Sequence, residues 1–294
     1  MSHNVALVGA TGPVMPVTPV TLACHAKGAP AQRRLPLVAT AIATLAALAA
    51  LASGPVLAQQ LIAPDATIAG FSQSELAAQF AQWSSDYPVG ANPTRDDTGA
   101  FSALGNRGSY FFLGASGTPD PIVRSVTVRP DQTLFVSILS YLDYAGGDVQ
   151  TEAQIRQEVA YVLGVVSNLS VTVDGAPALL PAGFSSLQQF HQSSPLFSIV
   201  FIDNNIYGVP PDVLPAVADG FFFGLEGLPL GEHSLHFTAH SEPTGPFAGL
   251  FSFGQDITYN ISSVPEASTR SMLSLGLLAM GAGALQRRRR SAQS

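Results

Sequence analysis

The chain has 294 residues, 47% of them hydrophobic and 11% charged, with 27 glycines, 22 prolines and a single cysteine, Cys24. Between residues 59 and 263 five arginines (Arg95, Arg107, Arg124, Arg129 and Arg156) face nineteen carboxylates, a net charge of −14, and the only lysine, Lys27, lies outside that stretch. So acidic a segment excludes nucleic-acid binding through counterion release. Lacking cysteine, it holds neither a disulfide nor a thiolate metal site.

In chain order, the first predicted element is an apolar helix. Arg33-Arg34 precede an uncharged run over residues 35–51, and Ser53-Gly54-Pro55 breaks it. Val56-Leu57-Ala58 then places small side chains where signal peptidase requires them, with the cut after Ala58. Residues 1–58 read as leader and signal peptide; the alternative is an N-terminal membrane anchor. The remaining residues 59–263 suffice for one exported domain with its own core.

Residues 71–83 predict a helix. Ser72 and Glu75 form a capping-box pair, Leu76, Phe80 and Trp83 recur at i, i+4 and i+7, and Asp86-Tyr87-Pro88 ends it. A loop rich in Gly, Pro, Asn and Asp covers 89–108. Strand signals follow at 109–113, 122–128 and 133–138, the last two divided by the Pro130-Asp131 turn. Thr151 caps a second helix expected over 152–166, with Ile155, Val159, Val162 and Val166 as its stripe. Residues 169–173 alternate and run into Asp174-Gly175, a hairpin signal. The apolar run 197–202 predicts a buried strand. Leu235, Phe237 and Ala239 alternate with Ser234, His236 and Thr238, and Ile257, Tyr259 and Ile261 with Thr258 and Asn260. The expectation is a mainly β fold: an antiparallel β-sandwich with one or two peripheral helices, flanked by an N-terminal signal helix and a C-terminal transmembrane helix.

Chemistry-bearing residues are sparse. His236 and His240 share a strand face but lie about 13 Å apart at ~3.3 Å per residue. His233 faces the other way, whereas metal ligands converge within about 2.1 Å of an ion. His191, with a serine nearby and a distant aspartate, lacks any Gly-x-Ser-x-Gly setting. No catalytic or cofactor-binding residue is assigned. The metal candidates are Asp96 and Asp97, in an oxygen-rich loop of the kind that holds calcium; the other reading is an Asx turn with solvated carboxylates. Asp203-Asn204-Asn205 reads as a loop of the same sort. Tyr110, Phe111 and Phe112, with Phe221, Phe222 and Phe223, are expected in the core rather than on a sugar-stacking platform.

The chain closes with Val264-Pro265-Glu266-Ala267-Ser268, an uncharged apolar run over 271–285, and Arg287, Arg288, Arg289 and Arg290. A helix of that length rises about 22 Å, short of the ~30 Å hydrocarbon core. The arginines can snorkel and stay cytoplasmic. This layout resembles the PEP-CTERM sorting signal of Gram-negative bacteria. The resemblance implies export, a pause in the inner membrane on the C-terminal helix and its arginine anchor, and a cut near Val264, Pro265 and Glu266 by an exosortase. It also implies association with exopolysaccharide and biofilm. The family motif is Pro-Glu-Pro; here Ala267 takes the third place and Arg270 stands where the family turns apolar.

The middle of the chain resembles a second family. Trp83, Asn92-Pro93, Asp97-Thr98-Gly99, Phe112-Leu113-Gly114, Arg124, Asp174-Gly175, Ser194-Pro195, Leu228-Pro229-Leu230-Gly231 and His236-Phe237 fall in the order of a group of uncharacterised exported bacterial proteins. Members often carry cysteines where Ser102 and Val126 stand, which implies a disulfide missing from this chain. The expectation for function is an exported cell-surface or extracellular-matrix protein, structural and not enzymatic. A glycan- or calcium-binding module is the alternative, and a surface hydrolase around His191 or His236 the third reading.

Overall fold

Inward apolar and outward polar side chains alternate over Ile122–Val128, Gly231–Glu242 and Phe253–Ser263, whereas Thr133–Tyr144 and much of Asp212–Leu225 are buried on both faces, and these strands form two facing sheets. The computed structural model describes residues 59–114, 116, 120–147 and 151–265. The expected signal helix, Ala58, Glu266, the apolar run 271–285 and Arg287 to Arg290 lie outside the described residues. Among those described, no helix is long and apolar enough to cross a membrane.

The first sheet is built on β9 (Asp212–Leu225). β4 (Thr133–Tyr144) runs antiparallel along one side of it. On the other side β1 (Leu61–Ile62), β7 (His191–Ser193) and β8 (Phe197–Phe201) take successive stretches. β2 (Tyr110–Leu113) pairs with β4 only opposite Thr133, Leu134, Phe135 and Val136. The second sheet has the order β3 (Ile122–Val128), β11 (Phe253–Ser263), β10 (Gly231–Glu242), β5 (Val165–Val173) and β6 (Ala176–Pro177).

The expectation of antiparallel pairing throughout is corrected. β2 pairs with β4, and β3 with β11, in parallel, so both sheets are mixed. Parallel neighbours need a crossover, and the crossover from β2 to β4 passes through β3 in the other sheet. The Pro130-Asp131 turn therefore changes sheets.

Ile122, Val126 and Val128 point inward from β3, while Val123, Ser125 and Thr127 point out. They meet Val136, Phe223 and Leu225 of the first sheet, and Phe237, Ile257 and Ile261 of the second, in one apolar core. Each such side chain contributes about 1.5–3 kcal/mol by burial.

Helix α1 (Gln73–Ser85) starts on the expected capping box, with Glu75 N donating to Ser72 Oγ and Ser72 N to Glu75 Oε2. Leu76, Phe80 and Trp83 pack on the outer face of the first sheet against Phe112, Phe135 and Phe222. Helix α2 (Glu152–Leu163), capped by Thr151, lays Ile155, Val159 and Leu163 against Val217. It stops earlier than expected because Gly164 adopts φ +48°, and a Cβ there would meet Glu242 O at 2.1 Å. Val166, expected on the helix stripe, belongs to β5.

β8 is also corrected. Ile199 and Phe201 are buried, but Ser198 and Val200 are exposed, so the strand alternates and is not buried on both faces. The Asp174-Gly175 pair has φ +52° and +77° and joins Val173 to its partner Ala176. That is the backbone a two-residue type I′ hairpin requires.

Candidate functional site

The Asp96 carboxylate is held by donors from its own loop. Oδ1 accepts from Thr98 N at 2.9 Å and Thr98 Oγ1 at 2.6 Å, and Oδ2 accepts from Phe101 N at 2.7 Å. Burial alone would raise its pKa, but these hydrogen bonds outweigh burial and leave it below the ordinary carboxylate value. Asp97 is exposed. Gly99 lets the loop lie on β3: it has φ +82°, and a Cβ would stand 2.8 Å from Ser125 N. This is an Asx turn whose carboxylate also holds the Phe101 amide, just ahead of the 3-10 turn Ser102–Gly105.

The histidines are distributed singly, each against its own carboxylate. His233 Nδ1 lies 2.8 Å from Asp174, His236 Nε2 2.8 Å from Asp256, and His240 Nε2 2.6 Å from Glu242. Among the described residues no three His, Cys, Asp or Glu side chains gather to hold a metal. His191 Nε2 sits 2.5 Å from Asp219 Oδ1. The Asp219 hydrogen bond raises the His191 pKa against the effect of burial, and the aspartate's charge adds to it. The small pocket beside this pair is lined by Ala160, Leu163, Gly164, Val166, Gln188 and Phe221, with no hydroxyl or thiol to serve as nucleophile.

A cavity of about 420 Å³ opens at the edge of β4. Among the described residues no strand pairs with that edge beyond Val136, because β2 is short. Side chains from both faces of the sheet therefore meet around it. Leu142 and Tyr144 come from the α1 side, and Tyr141 from the α2 side. Phe80 and Ala81 of α1 and Phe222 of β9 form the floor. Phe251 and Phe253 form a further wall, and Phe251 is 44% exposed.

Two buried asparagines fix the polar walls of this cleft. Asn92 donates to Ser84 O and Tyr87 O and accepts from Thr94 N and Oγ1, and Arg95 N returns to Asn92 O at 3.1 Å. Asn205 does the same on the facing loop: it donates to Ile202 O and Val209 O and accepts from Tyr207 N. Arg95 and Tyr207 are thereby presented to the cavity, and the Tyr207 hydroxyl meets Ser84 Oγ at 2.8 Å. Burial raises the phenol of Tyr144, and pushes Tyr141 up to about 12 with help from the negative charge of Asp143 and Glu158. Both remain protonated donors at neutral pH.

The sequence marks Asn92, in the Asn92-Pro93 pair, and Asn205, in the Asp203-Asn204-Asn205 loop, but gives neither a role in a site; Arg95, Tyr141 and Tyr207 carry no motif. The expected processing residues Val264 and Pro265 are exposed directly after β11, and Val264 N donates to Val128 O at 3.0 Å. Compared with protein-family models, curated proteins and solved structures, the chain shows no match.

Proposed function

We propose that residues 59–263 are an exported β-sandwich domain, delivered to the cell surface or extracellular matrix by signal peptidase and an exosortase, and structural there, not enzymatic. One observation supports this reading. Gln59 O already accepts from Leu179 N at 2.9 Å, and the last strand ends at Ser263 with Val264 and Pro265 exposed. A cut after Ala58 and another near Pro265 would leave every described strand whole.

Intact mass of the protein from its native host, taken by compartment, tests the proposal. The expected species begins near Gln59, ends near Pro265-Glu266 and lies outside the inner membrane. Recovery solely of a membrane-bound species that keeps Arg287 to Arg290 would reject exosortase release and make the tail a permanent anchor. A binding module is the second reading, and the cleft at the edge of β4 is what favours it.

A further inference from the structure

We propose that the cleft at the open edge of β4 binds a small carboxylate, with the anion on Arg95 and a ring-shaped body against the aromatic floor. The proposal is independent of how the domain reaches its destination.

Charge is the first argument. The domain is strongly acidic, so the five arginines are the places where an anion can settle. Four are committed. Arg124 is buried on backbone carbonyls and Tyr259. Arg129 pairs with Asp131 at 3.0 Å and Arg156 with Glu152 at 2.7 Å. Arg107 lies over the Phe112 ring at 5.6 Å. The Arg95 side chain makes no hydrogen bond or ion pair among the described residues, and it lines the cleft. A planar guanidinium fork matches a carboxylate in two parallel hydrogen bonds.

Pre-organisation is the second. Arg95 stands between two anchored residues. Asn92 pins the turn before it. Asp96 follows it, held through its carboxylate by Thr98 and Phe101 and through its carbonyl by Arg124 Nε at 2.7 Å. The loop is therefore ordered before any ligand arrives, which lowers the entropic cost of binding.

Shape and lining are the third. A volume of about 420 Å³ falls within the range of small-ligand sites, which are mostly apolar with a few convergent polar groups. Phe80, Phe222 and Tyr144 offer flat apolar surface to a ring. The hydroxyls of Tyr141 and Tyr144 make no hydrogen bond among the described residues, so they can donate to hydroxyls on that ring. An aromatic acid and a sugar acid share this chemistry.

The test is calorimetric titration of the full chain, purified in mild detergent, with 4-hydroxyphenylacetate, its neutral amide and glucuronate. The expected result is saturable binding of a carboxylate with Kd below about 1 mM, at least tenfold weaker for the amide and at least tenfold weaker in Arg95→Gln. Arg95 is exposed, so this variant folds, and Arg129→Gln serves as a control that leaves affinity unchanged. Tighter binding of 4-hydroxyphenylacetate assigns the ring as aromatic; tighter binding of glucuronate with the same Arg95 dependence assigns it as a sugar acid. Equal binding of acid and amide, binding unmoved by Arg95→Gln, or no binding of either carboxylate overturns the proposal.

Discussion

Arg124 Nη1 donates to the Tyr259 hydroxyl at 2.8 Å while its guanidinium carbon lies 5.7 Å from the centre of the same ring. The two residues stand opposite each other in the parallel β3–β11 pair, and both are buried. Arg124 also donates to Gly114 O at 2.6 Å and Asp96 O at 2.7 Å, and the Tyr259 hydroxyl donates to Gly114 O at 2.9 Å. One guanidinium therefore ties two strands, the end of β2 and the Asp96 loop. A buried charge is costly unless its donors are satisfied, and here two carbonyls and a phenol take up Nε and Nη1.

Removing it should be severe. Arg124→Leu leaves these acceptors without their donor, and a loss of about 3–5 kcal/mol is expected in urea unfolding. Tyr259→Phe removes one hydroxyl and should cost about 1–2 kcal/mol. Because the residues share partners, the double variant should lose less than the sum of the two. Strict additivity would show that they act separately.

The Asp96 loop separates its two aspartates. Asp96→Ala strands the amides of Thr98 and Phe101, and a loss of about 1–3 kcal/mol is expected. Asp97→Ala should stay within about 0.5 kcal/mol. The Asp96 pKa is depressed by folding, so its contribution is present above the unfolded-state value and fades as pH falls through the folded one. Since its oxygens are occupied by donors, millimolar calcium should leave the melting temperature unchanged. A rise of several degrees, abolished by Asp97→Ala, would give the loop to the ion.

What could be read in the sequence is what has a local cause. Ser72 with Glu75 sets the start of α1, and Asp174-Gly175 sets the β5–β6 turn, because each signal acts within a few residues. The parallel partner of β3 could not be read, since β11 lies far along the chain and alternation fixes a face without fixing a neighbour. Arg124 breaks the apolar pattern of β3 because its acceptors, Asp96 O, Gly114 O and the Tyr259 hydroxyl, all come from outside the strand. The cleft was hidden for the same reason: α1, β4, β9 and two asparagine-pinned loops each supply part of it, and Arg95 becomes distinctive only once the other arginines are seen to be engaged.

Ser102 and Val126 are both buried. Ser102 opens the 3-10 turn that packs on β3, and Val126 lies on β3 itself. The double substitution Ser102→Cys and Val126→Cys should therefore form a disulfide under oxidising conditions. Closing a loop of this length is worth about 3 kcal/mol. Thiol titration of the unfolded full chain should find Cys24 as its one free sulfhydryl, and the melting temperature should rise. Three titratable thiols after oxidation would mean that the positions do not come within bonding range.

Asp143 gives the fold a pH dependence of opposite sign to that of Asp96. It lies buried on β4 opposite Val217, and its Oδ2 has no hydrogen-bond partner among the described residues. Burial, and secondarily the charge of Glu158 on α2, push its carboxyl up to about 6, while a hydrogen bond from the Tyr144 amide works the other way. A carboxyl raised by folding supplies stability below its unfolded value and loses it as pH climbs through the folded one. Wild-type protein should therefore lose stability between pH 5 and 7.5 relative to Asp143→Asn, by on the order of 1–2 kcal/mol. The comparison isolates this group because the other titrating residues are common to both chains. Parallel stability profiles across that interval would mean that the carboxylate ionises as freely in the folded protein as in the unfolded chain, and that the edge of β4 around Tyr141 and Tyr144 is open to water on both faces.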